Sequence, residues 1–145
     1  SFNIIGITKS YFEEKYHLKV SGDIKFYGKI PYTEVIKKYE DAHFSFILRP
    51  VERFAQAGFP TKFVESLSQA TPVIANITSD LQYYLYDNVN GYIIEDLDSE
   101  SILKVLLKIN NTSNDTYQRL SYAALKTSEN FYYATYESKL INLLR

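Results

Sequence analysis

Apolar positions along this chain follow two spacings. Short apolar runs fall at residues 2–8, 25–27, 43–48, 72–75 and 92–95, and each reads as a buried strand. Between them apolar residues recur at helical spacing. Residues 9–17 read as a helix anchored by Tyr11, Phe12 and Tyr16. Ile30-Pro31 opens a second helix running to about residue 41, with Val35, Ile36 and Tyr39 inward. A third helix starts near Pro60, and a short one covers about 80–86. Asp98 or Ser99 caps a helix through 109 whose core face is Ile102, Leu103, Leu106 and Leu107. Two more helices are expected over 115–129 and 134–144. Such alternation predicts one three-layer α/β domain over 1–145, a mostly parallel sheet with helices on both faces.

The loop at 49–57 is polar and carries Arg49 and Arg53. Loops of this length in compact domains are more often functional than idle. It leads into Gly58-Phe59-Pro60-Thr61-Lys62-Phe63-Val64-Glu65-Ser66-Leu67. Gly58 permits backbone angles that other residues avoid, and Pro60 suits a first helical turn, where a missing N–H costs nothing. Phe63, Val64 and Leu67 form an apolar stripe, while Thr61 and Glu65 share a different face. A helix start offers free N–H groups and partial positive charge, which suits phosphate. Glu65 lies about 7 Å further along the axis, at roughly 1.5 Å per residue. That offset is comparable to the span from a diphosphate to the hydroxyls of its ribose. The segment therefore reads as a phosphate site at the helix tip with a ribose diol on the Glu65 carboxylate. A Gly-x-Pro helix start followed by one exposed Glu also occurs widely without a ligand. The flanking strands favour the ligand, since open α/β sheets bind at strand C-terminal ends.

Composition narrows the remaining classes. With 145 residues, 46% hydrophobic and 16% aromatic, the chain suits a folded domain with a real core. A net charge of -1 gives no electrostatic case for nucleic acid. Cys is absent, so there is no disulfide framework and no thiolate metal site. No apolar run approaches the roughly 20 residues of a membrane span, and no charged leader is visible. The chain lacks an initiator Met and opens on a strand, so a piece of a longer protein is expected. Asp96-Leu97-Asp98 is a literal D-x-D, but its position between strand and helix favours Asp98 as an N-cap. His17 and His43 are too isolated for a metal site or a triad. The triplet Asn76-Ile77-Thr78 is a glycan acceptor only in a secretory context. No cofactor or metal is expected, and no Gly-rich dinucleotide or P-loop motif is present.

Taken in order, Ile24-Lys25-Phe26-Tyr27-Gly28, the strand and loop at 43–50, the segment 58–67, Thr71-Pro72-Val73-Ile74-Ala75 and Asn90-Gly91-Tyr92-Ile93-Ile94 carry a resemblance. The chain resembles the C-terminal nucleotide-sugar-binding domain of GT-B glycosyltransferases of the family 4, or group 1, type, over nearly its whole length. The resemblance implies a Rossmann-like fold and the donor half of a retaining, metal-independent hexosyltransferase. Such an enzyme takes a nucleotide-diphosphate sugar and passes the sugar to a glycan or lipid-linked acceptor in bacterial surface polysaccharide or capsule synthesis. It would work in the cytoplasm, and peripheral association with the inner face of the membrane is compatible with that role. By resemblance Glu65 binds the ribose. Backbone N–H groups of Gly58, Phe59 and Thr61, beside Pro60, lie near sugar and phosphate, and Lys62 is an added cation. Gly28, Lys29 and Ile30 cup the base, and Arg49 reaches phosphate or acceptor. As plain surface residues, Lys62 and Arg49 would be solvated cations.

Two departures stand beside the resemblance. The family places a second glutamate eight positions before the ribose-binding one, and here that position is Ala57. Glu52, upstream in the same loop, is the candidate substitute. The family's first strand, its basic phosphate clamp and its acceptor-binding N-terminal domain also fall outside this chain, so the chain alone is expected to be inactive. Without that strand the expected sheet order is 24–27, 2–8, 43–48, 72–75, 91–95, the alternative being a gap filled by a second chain. The rival functions are a nucleotide-sugar epimerase of the same fold and a non-catalytic flavodoxin-like interaction module.

Overall fold

The computed structural model describes residues 1–144. They form two compact units, Ser1–Lys38 and the residues from Tyr39 onward. In the first unit β1 (Phe2–Ile4) and β2 (Ile24–Phe26) pair in parallel, Phe2 opposite Ile24 and Ile4 opposite Phe26, with α1 (Lys9–Tyr16) between them in sequence. The Thr8 hydroxyl caps α1 by accepting from the Tyr11 N–H at 3.3 Å. Of the three expected anchors only Phe12 turns inward, its ring 5.4 Å from that of Phe26. Tyr11 and Tyr16 are both 51% exposed, because a two-stranded ladder is too narrow to cover three aromatic positions of one short helix. The run at 2–8 is a strand only to Ile4. Gly6 takes φ 105, outside the extended region a ladder requires. α2 (Tyr32–Glu40) follows, with Val35, Ile36 and Tyr39 half-buried as its pattern predicts.

The second unit is built on β3 (Ser45–Ile47), β4 (Val73–Ala75) and β5 (Gly91–Ile93), parallel and in the order β3-β4-β5. All three residues of the central strand are fully buried. Strand side chains alternate between faces. Val73 and Ala75 pack with Ile47, Phe63, Leu67, Leu81, Leu85 and Ala124, whereas Ile74 packs with Tyr92, Ile94, Val105 and Leu120. Helices therefore cover both faces: α4 (Thr61–Ser68) supplies Phe63 and Leu67, α5 (Ser99–Asn110) supplies Val105, and α6 (Asn114–Ser128) supplies Leu120 and Ala124. Asp98 is the N-cap of α5, its carboxylate accepting from Ser101 N–H at 2.7 Å. The α5 core stripe is Ile102, Val105 and Ile109. The expected Leu103 and Leu107 are 55% and 56% exposed, since the packed stripe follows i, i+3, i+7 and leaves both on the outer side.

Four further expectations are corrected. The strands do not make one five-stranded sheet; they form a two-stranded and a three-stranded sheet, with the expected neighbours inside each and no β1–β3 ladder among the described residues. A strand at the centre of a parallel sheet is apolar and buried on both faces, and β1, with Asn3 in its middle and Phe2 exposed, is neither. The loop at 49–57 is not irregular throughout, since it contains α3 (Arg53–Ala57) anchored by buried Ala55. The helix expected to reach residue 86 is a 3-10 turn, Ser79–Tyr83, and the one expected from 134 is a 3-10 turn, Tyr133–Tyr136, followed by α7 (Glu137–Leu143). The first stops where the buried Asn90 side chain accepts from Tyr86 N–H at 2.9 Å and donates to the Tyr84 carbonyl at 2.7 Å. No described helix is long and apolar enough to cross a membrane.

Gly91 marks the closest backbone approach in the sheet. A Cβ there would fall on the Val73 carbonyl oxygen and lie 2.9 Å from Leu85 Cδ1. Backbone cannot yield as a flexible side chain can, so Gly91→Ala is expected to destabilise the fold by about 3 kcal/mol, the upper part of the overpacking range. The urea midpoint of the purified chain measures it; an unchanged midpoint would contradict this packing.

Candidate functional site

The start of α4 is held from three sides. Inside the helix, Phe63, Ser66 and Leu67 are fully buried. The Ser66 hydroxyl donates to the Thr71 carbonyl at 2.9 Å and sits 2.6 Å from the Ser45 hydroxyl. With its single proton given to Thr71, Ser66 must accept from Ser45. Just before the helix, the Phe59 ring lies among Phe63, Tyr84 and Phe131, with centroids 5.9, 5.7 and 5.4 Å away. Edge and offset contacts of this kind add to the apolar burial.

The helix start itself is open. Pro60 is the N-cap at φ -75, one position earlier than a first helical turn, and makes no side-chain cap bond. Phe63 N–H donates to the Pro60 carbonyl at 2.9 Å, leaving Thr61 and Lys62, both exposed, at the uncapped turn. Such donors, with the helix dipole behind them, favour an anion. Glu65 lies one turn on, on the side of Thr61, and is half-buried. Among the described residues no hydrogen bond or ion pair engages its carboxylate; only its backbone carbonyl is used, by Ser68 Oγ at 2.8 Å. Gly58 is extended, with φ -135 and ψ 129, so the conformational freedom expected of it is not what the position uses.

Arg49 follows β3 and is fixed by Asn76, which follows β4. Arg49 N–H donates to Asn76 Oδ1 at 2.9 Å, and Asn76 Nδ2 donates to the Arg49 carbonyl at 2.7 Å. The guanidinium reaches back across the loop, with Nη1 donating to the Gly58 carbonyl at 2.8 Å and lying 3.5 Å from Thr78 Oγ1. Gln56 Oε1 accepts from Ser79 N–H at 2.7 Å, where Ser79 takes φ 53. The loop at 49–57 is thus stapled to the C-terminal end of β4. Ala57 ends α3 and is exposed; Glu52, exposed, stands at the α3 N-cap without a side-chain cap bond.

In the first unit Gly6, Ile7, Thr8, Tyr11, Gly28 and Lys29 line an open groove of about 400 Å³. Its floor is backbone: Gly6 N–H donates to the Gly28 carbonyl at 2.6 Å and Gly28 N–H to the Ile7 carbonyl at 3.1 Å. Both glycines have positive φ, 105 and 63, conformations that disfavour a side chain. Of the three residues expected to cup a base, Gly28 and Lys29 line this groove, while Ile30 is half-buried and is not among its lining residues.

Within the second unit the structure gathers Gly58, Phe59, Pro60, Thr61, Lys62, Glu65 and Arg49 around one helix start. Sequence reasoning missed Asn76, Thr78 and Gln56 there, and Gly6, Ile7, Thr8 and Tyr11 in the groove. The available signal for Asn76 was an amide directly after an all-apolar strand, at the end where α/β sheets bind ligands.

Parallel strands with helices around them define a Rossmann-like domain, with an uncapped helix start at the strands' C-terminal ends and an unengaged carboxylate behind it. The family model described as glycosyl transferases group 1 matches residues 2–127. The chain belongs to that family. Among 43 matching solved chains, Anabaena Alr3699/HepE in complex with UDP-glucose has a TM-score of 0.75 at 14% identity, covering 98% of this chain and 40% of that one. TarM has a TM-score of 0.75 at 18% identity, covering 99% of this chain and 28% of that one. The C-terminal domain of the group 1 family protein LpcC from Francisella tularensis has 0.62 at 17%, covering 83% and 58%. These likenesses show the Rossmann-like GT-B fold. This chain spans less than two thirds of each of the three. No curated protein matches it.

A Cβ at Gly58 meets nothing within 4 Å, and its backbone angles suit any residue. Gly58→Ala is therefore expected to leave stability unchanged or raise it by up to about 1 kcal/mol, through the unfolded chain's lost freedom. Thermal unfolding checks this, and a marked loss would mean that the segment needs a conformation only glycine holds.

Proposed function

We propose that this chain is the donor-binding part of a glycosyltransferase, holding a nucleotide-diphosphate sugar at the start of α4. One observation carries the reading: the Glu65 carboxylate is half-buried, lacks a protein partner among the described residues, and stands a turn behind uncapped N–H groups. Diphosphate oxygens accept from the segment Gly58 to Lys62, with the Lys62 charge beside them. The two ribose hydroxyls donate to the two oxygens of Glu65. Arg49 adds positive charge beside Gly58. The base role of Gly28, Lys29 and Ile30 rests on the family resemblance alone. That HepE, of like fold, was crystallised with UDP-glucose supports a nucleotide-sugar over other anions.

The finer reading follows the family. The whole enzyme is a retaining, metal-independent hexosyltransferase acting on a glycan or lipid-linked acceptor in bacterial surface polysaccharide synthesis, in the cytoplasm. Chemistry in that design needs an acceptor-binding half, so the 145-residue chain binds donor without turning it over. Release of free or transferred sugar by this chain alone would overturn that point. Ala57, exposed where the family has a carboxylate facing the donor sugar, favours a second reading, a domain that binds nucleotide-sugar without acting on it. Product analysis on the enzyme joined to its acceptor half separates the two, and epimerised donor would identify the same-fold epimerase instead.

Thermal shift with UDP-, GDP- and ADP-glucose is expected to select one nucleotide, since a ligand that binds only the folded state raises its apparent stability. Against that nucleotide Glu65→Ala is expected to lose tenfold or more in affinity, about 1.5–3 kcal/mol for a charge-assisted hydrogen bond. Isothermal titration measures it, and equal affinity in the variant sinks the assignment of Glu65 to the ribose.

A further inference from the structure

We propose that Asn76 and Arg49 are positioning residues for the phosphate-facing segment, acting in series: Asn76 holds Arg49, and Arg49 holds Gly58. The inference rests on the donor-site reading above and extends it to the residues that hold the phosphate-facing segment in place. The last rung of the β3–β4 ladder pairs Ile47 with Ala75. Asn76, one residue beyond, uses both ends of its amide on the backbone N–H and carbonyl of Arg49, at 2.9 and 2.7 Å. A side chain thus prolongs the ladder past the point where the strands part. Asn76 is only 3% exposed, so removing its partner strands a buried polar group.

So fixed, Arg49 projects its guanidinium nine positions along the chain to the Gly58 carbonyl, at 2.8 Å. Gly58 lies two residues before the Pro60 cap and makes no packing contact that a Cβ would feel. Its neighbour Phe59 is held by aromatic packing, which leaves the Arg49 bond as the polar restraint on Gly58. The bond turns one peptide so that its carbonyl faces the cation, and peptide planarity then sets the direction of the following N–H. A segment held ready for phosphate binds more tightly because less ordering is lost on binding.

The test is a double-mutant cycle on the 145-residue chain, titrated with UDP, GDP and ADP, with thermal unfolding followed in parallel. Arg49→Met keeps the aliphatic stem and removes the guanidinium. Asn76→Ala and Arg49→Met are each expected to lower affinity for the preferred nucleoside diphosphate about fivefold to tenfold, and the double variant no further than Arg49→Met alone, the mark of residues acting as one chain. Arg49→Lys is expected to recover part of the loss. Should Asn76→Ala fail to fold, Asn76→Asp, which keeps the acceptor for Arg49 N–H, takes its place. Losses that multiply in the double variant, or full affinity in Arg49→Met while Glu65→Ala weakens binding, would overturn the series and leave the donor site standing. Lowered unfolding temperature with full affinity would reduce both residues to loop staples. No binding of any of the three diphosphates by the unmodified chain would remove the donor reading itself and this inference with it.

Discussion

Burial of β4 on both faces is the constraint that the larger unit obeys. Val73 and Ala75 need one apolar cover and Ile74 needs another, so helices must lie on each side of a three-stranded sheet. Close packing then leaves no space for a Cβ at Gly91. It also forces every polar group near the strand ends to find a partner within the protein. Thr71 donates to the Tyr39 carbonyl at 2.7 Å, Asn76 clasps Arg49, and Asn90 donates to Thr127 at 2.8 Å. No buried side-chain nitrogen or oxygen among the described residues lacks a partner. Orphaned groups would each cost on the order of 1–3 kcal/mol, a large share of a domain's stability.

Against that satisfied interior, the start of α4 stands out as polar capacity left unused. Its apolar side is locked by Phe63, Leu67 and the rings around Phe59, while its first N–H groups have no capping side chain and Glu65 has no described partner. Rigid support beneath an unengaged polar surface is what a binding site requires, because the ligand then finds its hydrogen bonds already oriented. The flanking loop adds support through Arg49, Gln56 and the buried Ala55, while Val51 and Phe54 remain exposed at 70% and 62%.

Much of this was readable along the chain. The positions of the five strands, most of the longer helices and the α4 start follow from local periodicity, from Pro60, and from Asp98 as a cap, each a signal carried within a few residues. The place of Glu65, one turn behind the α4 start, was legible because a helix fixes where its residues lie along the axis. The roles of Asn76 and Gln56 were not, since the Asn76 clamp joins positions 27 apart and the Gln56 bond positions 23 apart. Nor was the choice of Val105 over Leu103 on α5, because two stripes of that helix are apolar and only the shape of the sheet selects between them.

By itself, then, the sequence determined where most of the strands and helices lie, that a helix starts just after Pro60, and that a carboxylate stands a turn behind that start, because these depend on spacing within single elements. Tertiary structure alone decided that the strands divide into two sheets, that Gly91 is required by contact rather than by backbone angle, and that Arg49 spends a guanidinium N–H on Gly58. Each of those depends on which distant backbone comes within hydrogen-bond or van der Waals reach, and no local pattern carries that distance.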